Sequence, residues 1–235
     1  MSIQETNRAI PLSIRRTGLD RKTAFSFSCM RCLQCCRSKK IQVNPYEIAR
    51  LAQNLGISTT ECLARYITEE GPYLKFDEKN SCLFLGPEGC LVHSDRPLVC
   101  RLYPLGRHLN ELNEEWFSEV EPDAECRGEC GEKRSLESYL ESQESDVYLL
   151  AANSYLNLLW KMMLLLENSS DDEENGEEQE SSGDDKTGMF ENNNWMDMDA
   201  AVQNYCQERQ IPLPPDIEGK MRLHQEALQC WIQQS

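Results

Sequence analysis

The sequence is short of positive charge. Its 24 Lys and Arg stand against 40 Asp and Glu, giving a formal net charge of -16 and a pI near 4.7. Neutralising a phosphate backbone takes clustered Lys and Arg, so this balance argues against nucleic acid as a partner. Long apolar runs are also missing. The most apolar stretch, residues 156–166, is interrupted by Asn157 and Lys161. It falls well short of the roughly 20 residues that a membrane-spanning helix needs, so no membrane segment is expected. The first 28 residues carry scattered Arg with no apolar h-region and no cleavage site. No secretory signal is expected, and a cytoplasmic, reducing location follows. No internal repeat is evident, and no Gly-rich cofactor loop follows a strand-like run.

At 235 residues there is room for one ordinary domain with appendages or for two small ones, and 40% hydrophobic residues support a core over part of that length. The charge is uneven. Asp171, Asp172, Glu173, Glu174, Glu177, Glu178, Glu180, Asp184 and Asp185 face one Lys186 within a short segment. Such a run reads as a solvated linker.

Five regions are expected. Residues 1–24 form a flexible leader and 25–134 a cysteine-rich domain. Residues 135–168 form a helix packing on that domain, 169–194 an acidic disordered linker, and 195–235 a C-terminal helical segment. Phe25 and Phe27 alternate with small polar residues as in a short strand. Asn44, Pro45 and Glu47 make a helix start, with Ile48, Leu51, Ala52 and Leu55 as its apolar face and Gly56 as its stop. Ser58 and Glu61 repeat the start signal, with Leu63, Tyr66 and Ile67 lining a second helix. These two helices are expected to brace the cysteine loop. Residues 71–130 read as loops and short strands. Helical periodicity returns at Ser135, with Leu136, Tyr139, Leu140, Val147, Leu150, Leu158 and Leu165 at core positions. Two further helices are expected over Met198–Arg209 and 217–232. The fold class is α+β: a small irregular Cys-rich metal-stabilised domain with flanking helices, mainly α in the C-terminal part.

Of 12 cysteines, ten lie between Cys29 and Cys130. The string Cys29-Met30-Arg31-Cys32-Leu33-Gln34-Cys35-Cys36 interlocks three spacings. A C-x2-C pair returns two sulfurs toward one point, which suits a tetrahedral ion or one side of a cluster. In extended backbone, neighbouring side chains point to opposite sides, so Cys35 and Cys36 share a target only if the chain turns there. Further sulfurs follow at Cys82, at Gly89-Cys90, in Arg96-Pro97-Leu98-Val99-Cys100-Arg101-Leu102-Tyr103-Pro104, and in Cys126-Arg127-Gly128-Glu129-Cys130. Cys62, Cys206 and Cys230 sit within helical patterns and read as inert core thiols. No triad spacing joins a cysteine to His93, His108 or His224, so no catalytic residue is assigned.

Together these motifs resemble the YkgJ, or CxxCxxCC, family of proteins regarded as zinc- or iron-chelating, over about residues 25–135. The resemblance implies eight ligands: Cys29, Cys32, Cys35, Cys36, Cys82, Cys90, Cys100 and Cys126. Two positions depart from the family pattern. His93 stands where Tyr is usual, as a further ligand or a packing residue. Cys130 stands where Gly is usual, and it replaces, supplements or ignores Cys126.

All-sulfur sites suit both Zn(II) and an iron-sulfur cluster. The adjacent Cys35 and Cys36, together with the long separation between ligands, favour the cluster over a simple zinc ribbon. Arg31, Arg37, Arg96 and Arg101 flank the cysteines and are expected to offset thiolate charge or donate hydrogen bonds to sulfur. The leading function is a metal-binding protein in a redox or metal-handling role. An enzyme is the alternative, because flagellin lysine methylases carry a similar cysteine arrangement, although the C-x3-C-x2-C spacing of radical SAM enzymes is absent. A third reading assigns the acidic segment and C-terminal helices to a protein partner.

Overall fold

A computed structural model describes residues 13–173 and 195–234. In chain order the first elements are β1 (Ile14–Leu19), β2 (Ala24–Ser28), α1 (Pro45–Leu55), α2 (Thr59–Tyr66), β3 (Leu85–Gly86), β4 (Gly89–Cys90) and α3 (Leu98–Leu102). Then follow β5 (Leu105–Leu109), β6 (Glu115–Val120), β7 (Glu129–Ser135), α4 (Leu136–Ser142), α5 (Asp146–Glu173), α6 (Met198–Arg209) and α7 (Ile217–Gln234). Small antiparallel sheets and separate helices make this an α+β fold. The chain divides into two compact units, each discontinuous in sequence: one runs to Gln42 and resumes over Tyr73–Asp146, and the other takes Val43–Pro72 and everything from Val147.

The first unit holds all the strands found among the described residues. β1, β6 and β5 form an antiparallel sheet in that order, β2 pairs with β7, and β3 with β4. Asn110 shapes the β5–β6 turn by accepting from the amides of Leu112 at 3.0 Å and Glu114 at 2.9 Å, with Asn113 in the left-handed region at φ 59°. The buried Phe117 anchors β6.

β1 falls inside the stretch expected to be a flexible leader, so that expectation fails for residues 14–19. Its polar sequence lacks the alternation that marks a half-buried strand. What holds it is a ladder to β6 and the ion pairs of Arg15 and Arg16 with the buried Glu119, at 3.1 and 2.6 Å. On β2 the expected strand is present. Phe25 is fully buried, edge-on to Tyr139 at 5.0 Å.

The second unit is helical among its described residues. Asn44 and Glu47 form a reciprocal capping box at the start of α1, and Gly56, at φ 67°, ends it in the left-handed region. Ser58 caps α2 at 3.1 Å, but the Glu61 carboxylate turns to Arg65 at 2.8 Å instead of closing a second box. The buried residues of α2 are Thr59 and Cys62, with Leu63 and Tyr66 half-buried and Ile67 the buried cap.

Both helices belong to this unit, not to the cysteine-bearing one. Tyr46 meets Tyr148 edge-on at 5.4 Å. Thr59 donates to Asp197 at 2.6 Å and accepts from the Asp199 amide at 2.9 Å. The apolar face of α1 is satisfied by residues a hundred positions later, a pairing that periodicity does not show.

The helix expected over 135–168 is two helices. Glu144 adopts φ 52°, and the Ser145 hydroxyl bonds the Leu140 carbonyl at 2.9 Å, so the chain breaks between α4 and α5. Leu136, Tyr139, Leu140 and Leu158 are buried as expected. Val147 is half-buried, and Leu150 is 58% exposed because the break re-phases the helix. The side chain of Leu165 lies outside the described residues. α6 keeps its expected bounds, and α7 runs two residues past its expected end. α5 continues into the expected acidic linker as far as Glu173, and residues 174–194 of that linker lie outside the described residues. No described helix is long and apolar enough to cross a membrane.

Candidate metal centre

The cysteine string turns tightly. Arg31 and Leu33 take φ 51° and 67°, and Gln34–Cys36 closes a 3-10 turn in which the Cys36 amide donates to the Leu33 carbonyl at 3.2 Å. Non-glycine residues in the left-handed region are costly, and two of them in three residues mark a loop held by its surroundings. The turn meets the condition under which Cys35 and Cys36 share a target.

Backbone bonds bring the later cysteines to this loop. The Cys82 amide donates to the Cys36 carbonyl at 2.9 Å, and the Arg37 guanidinium donates to the Ser81 hydroxyl at 2.8 Å. The β3–β4 hairpin sets Cys90 opposite Leu85. Cys100 lies on α3, its amide bonded to the Pro97 carbonyl at 2.9 Å. Cys126 sits in a turn ahead of β7, its amide bonded to the Asp123 carbonyl at 2.7 Å.

Cys29, Cys32, Cys35, Cys36, Cys82, Cys90, Cys100 and Cys126 all line one cavity of about 380 Å³ within the first unit. Its walls include Phe27, Phe84, Val92 and Tyr103, and His93 reaches it too. Cys130 does not. It lies on β7 opposite Phe27, exposed, and lines a second cavity of about 310 Å³. Cys62 and Cys206 are buried in the helical unit, and Cys230 is half-buried there. Burial pushes the Cys62 thiol up to about 12, so it is inert at neutral pH. His108 stacks on Trp116 at 5.2 Å and His224 is buried in the helical unit, so neither lines the cysteine cavity.

Cys29, Cys32, Cys82, Cys90 and Cys126 share a local device. The amide two residues on faces the thiol: Arg31 to Cys29 at 3.4 Å and Gly128 to Cys126 at 3.4 Å. The amides of Gln34, Phe84 and Val92 stand in the same relation to Cys32, Cys82 and Cys90, and each favours the anion. Hydrogen bonds to sulfur from backbone N–H are what a ligating thiolate uses.

Without a cation, burial opposes ionisation. It pushes the thiols of Cys82, Cys90 and Cys126 up, each against the pull of its amide. Cys35 is pushed well up, first by its contact with Cys36 and then by burial. At Cys32 burial acts upward, but the amides of Gln34 and Arg127 and the Cys126 thiol together hold it below its ordinary value. A cation reverses the burial penalty, because its charge pays for desolvating the anions.

The flanking arginines bond main-chain and amide groups as well as offsetting thiolate charge. Arg101 is 3% exposed and donates to the carbonyls of Arg96 at 3.0 Å, Gln143 at 2.8 Å and Ser94. Arg96 donates to the His93 carbonyl at 2.7 Å and the Gln143 side chain at 2.9 Å. These guanidinium groups staple the Cys100 segment to the end of α4. Arg96 also favours the anion of Cys90 through its charge. Sequence reading assigned Tyr139 to the core and gave Gln143 no role. The Tyr139 hydroxyl donates to the Tyr103 carbonyl at 2.7 Å, and no local signal links these residues to a cysteine some 40 positions earlier.

Among the described residues, no group of three or more His, Cys, Asp or Glu side chains is drawn together closely enough to hold a metal ion. The thiols share a cavity without closing on a point. The donor set nevertheless fits zinc or an iron-sulfur cluster: soft sulfur donors, amides facing them and apolar walls.

Residues 28–131 match the family model CxxCxxCC, described as a putative zinc- or iron-chelating domain. The match takes in every cysteine from Cys29 to Cys130, and it supports metal binding by this part of the chain. No curated protein and no solved structure matches the chain.

Proposed function

We propose, for a chain whose residues 28–131 carry a CxxCxxCC domain, that the eight cavity thiols are the ligands of an iron-sulfur or zinc centre in a redox or metal-handling role. The carrying observation is their convergence. Eight cysteines from four separated segments line one cavity, while Cys62, Cys130, Cys206 and Cys230 do not. Iron-sulfur is the preferred occupant, since Cys35 and Cys36 turn into the same space. When bound, such a cluster supplies one-electron transfer, whereas Zn(II) supplies charge and rigidity.

The chain's own residues do the rest. Amides two positions beyond Cys29, Cys32, Cys82, Cys90 and Cys126 favour anionic sulfur, Phe27 and Phe84 wall the cavity, and Arg101 and Tyr139 fix the Cys100 segment. The reducing cytoplasm is the compartment in which free thiols of this density persist.

Anaerobic purification of the full chain, with iron, sulfide and zinc analysis and a visible spectrum, tests the reading. Iron, acid-labile sulfide and charge-transfer absorption are expected, and Ser substitution at Cys36 or Cys82 should abolish them. Zinc with a featureless visible spectrum would overturn the iron-sulfur preference. Absence of both metals from freshly reconstituted protein would overturn the centre.

A second reading rests on the cavity's size. About 380 Å³ lies within the span of small-molecule sites, so an enzyme of methyltransferase or oxidoreductase type, working beside the centre, has room for a substrate. Methyl-transfer and electron-uptake assays on the reconstituted chain separate this from a carrier or scaffold.

A further inference from the structure

Cys32 and Cys126 lie 94 residues apart in sequence, yet their sulfurs stand 3.9 Å from each other, in contact. Their loops are tied beside that contact. The Gln34 side chain donates to Glu125 at 2.9 Å, and the amide of Gly128 holds the Cys126 sulfur at 3.4 Å. Both thiols are half-buried, and their neighbours Arg31 and Arg127 are exposed, so small solutes reach the pair. Closing from contact to the ~2.05 Å of a disulfide is a matter of side-chain rotation and slight loop movement.

We propose that Cys32 and Cys126 form a reversible intramolecular disulfide in the metal-free chain, and that this bond excludes metal from the cavity. The oxidant is a low-molecular-weight disulfide such as oxidised glutathione. One protein thiolate attacks a sulfur of the oxidant, forming a mixed disulfide and expelling one small thiol. The second protein thiolate attacks the protein sulfur of that mixed disulfide, forming the Cys32–Cys126 bond and expelling the other small thiol. The protein loses two electrons and two protons, and the oxidant gains them.

Cys35 and Cys36 are also in contact. A bridge between adjacent residues, however, closes an eight-membered ring around a peptide bond that resonance holds planar, so it is disfavoured. The exclusion of metal rests on the ligand assignment above, since the bond removes two of the eight donors. Loading and oxidation thus compete for the same sulfurs.

The test uses the full-length chain, stripped of metal under reducing conditions, exposed to oxidised glutathione, quenched by alkylation, digested and mapped by mass spectrometry. A Cys32–Cys126 peptide pair, two hydrogens lighter than its reduced parts and reversed by dithiothreitol, is expected in at least roughly tenfold excess over any other pair, as a high effective concentration implies. A dominant Cys35–Cys36 bridge, or an even spread of pairs, overturns the proposal. Cys130→Ser should leave the pair intact. The map of the unsubstituted chain needs no variant to fold.

In a second arm, oxidised and reduced chains are offered zinc. The oxidised chain should lose most of its uptake and regain it on reduction, and equal uptake by both overturns the exclusion. A reduced chain that takes neither zinc nor iron would sink the ligand assignment and with it the exclusion, while the cross-link map still decides the disulfide.

Discussion

A Cβ at Gly128 would lie 2.3 Å from Cζ of Phe27 and 3.2 Å from the Ser28 carbonyl oxygen, while the Gly128 amide holds the Cys126 sulfur. The glycine is therefore needed for close approach, and the Cys-x-Gly element is a packing requirement as much as a ligand signal. Gly128→Ala must push Phe27 or the strand aside, at a cost on the order of 1–3 kcal/mol. It should lower the metal bound per chain as Cys126 moves, while Cys130→Ser leaves metal content unchanged; elemental analysis of reconstituted variants checks both.

Arg101 makes the opposite forecast. Its guanidinium donates to the backbone carbonyls of Ser94, Arg96 and Gln143, so Arg101→Met removes three partly buried hydrogen bonds and should cost on the order of 1–3 kcal/mol in a denaturation titration. Any protein that folds should keep its metal occupancy and visible spectrum. A shifted spectrum at full occupancy would return Arg101 to a direct role toward sulfur.

At the scale of elements, the helical unit carries a pH dependence of its own. His224 on α7 is fully buried, its Nδ1 2.9 Å from the Tyr155 hydroxyl on α5. Burial lowers its pKa from 6.5 to about 4, a shift that the Trp195 backbone and Asp197 only partly oppose. The unfolded chain takes up a proton near pH 6.5, and the folded one resists until about pH 4. The stability this represents is complete above the higher value and lost as pH falls through that window, with a ceiling of roughly 3 kcal/mol. Urea midpoints followed by helical circular dichroism should fall with acidification in the unsubstituted chain and flatten in His224→Gln. Equal slopes would refute the assignment.

Elements were legible in the sequence where their cause is local. Asn44 with Glu47, Gly56, and the bounds of α6 come from capping and periodicity, and the structure has them. β1 carries no alternation, and its partner β6 lies about a hundred residues away, so nothing near Arg15 or Arg16 announces a strand. The break at Glu144 was missed for a different reason: the apolar spacing on either side is helical, and only the Ser145 bond to Leu140 shows the stop. For the cysteines, the family resemblance implied eight positions, and those eight line one cavity. The turn that unites Cys35 with Cys36 depends on left-handed backbone at Arg31 and Leu33, residues with no special preference for it.

At the scale of the whole molecule, the two units differ in what can hold them. The helical unit buries Tyr46, Ile48, Leu51, Tyr148, Tyr155 and Leu228 in a core of its own. The other unit spends much of its interior on thiol-lined space between short strands, so the proposed centre would act there as part of the core. Stripping metal with a chelator under reducing conditions should therefore lower the unfolding temperature of the cysteine-bearing unit while most helical signal persists. Two separated transitions in calorimetry would show this, with only the lower one responding to added metal.

The same thiols set how loading depends on pH. Cys35, Cys82, Cys90 and Cys126 are held above the ordinary thiol value, so at neutral pH they carry protons that a metal must displace. Raising pH removes the competitor. Apparent zinc affinity, measured against a chromophoric chelator, should climb steadily from about pH 6 to about pH 9, with proton release detectable in a weakly buffered solution. An affinity independent of pH over that range would mean that the metal is held by groups other than these four thiols.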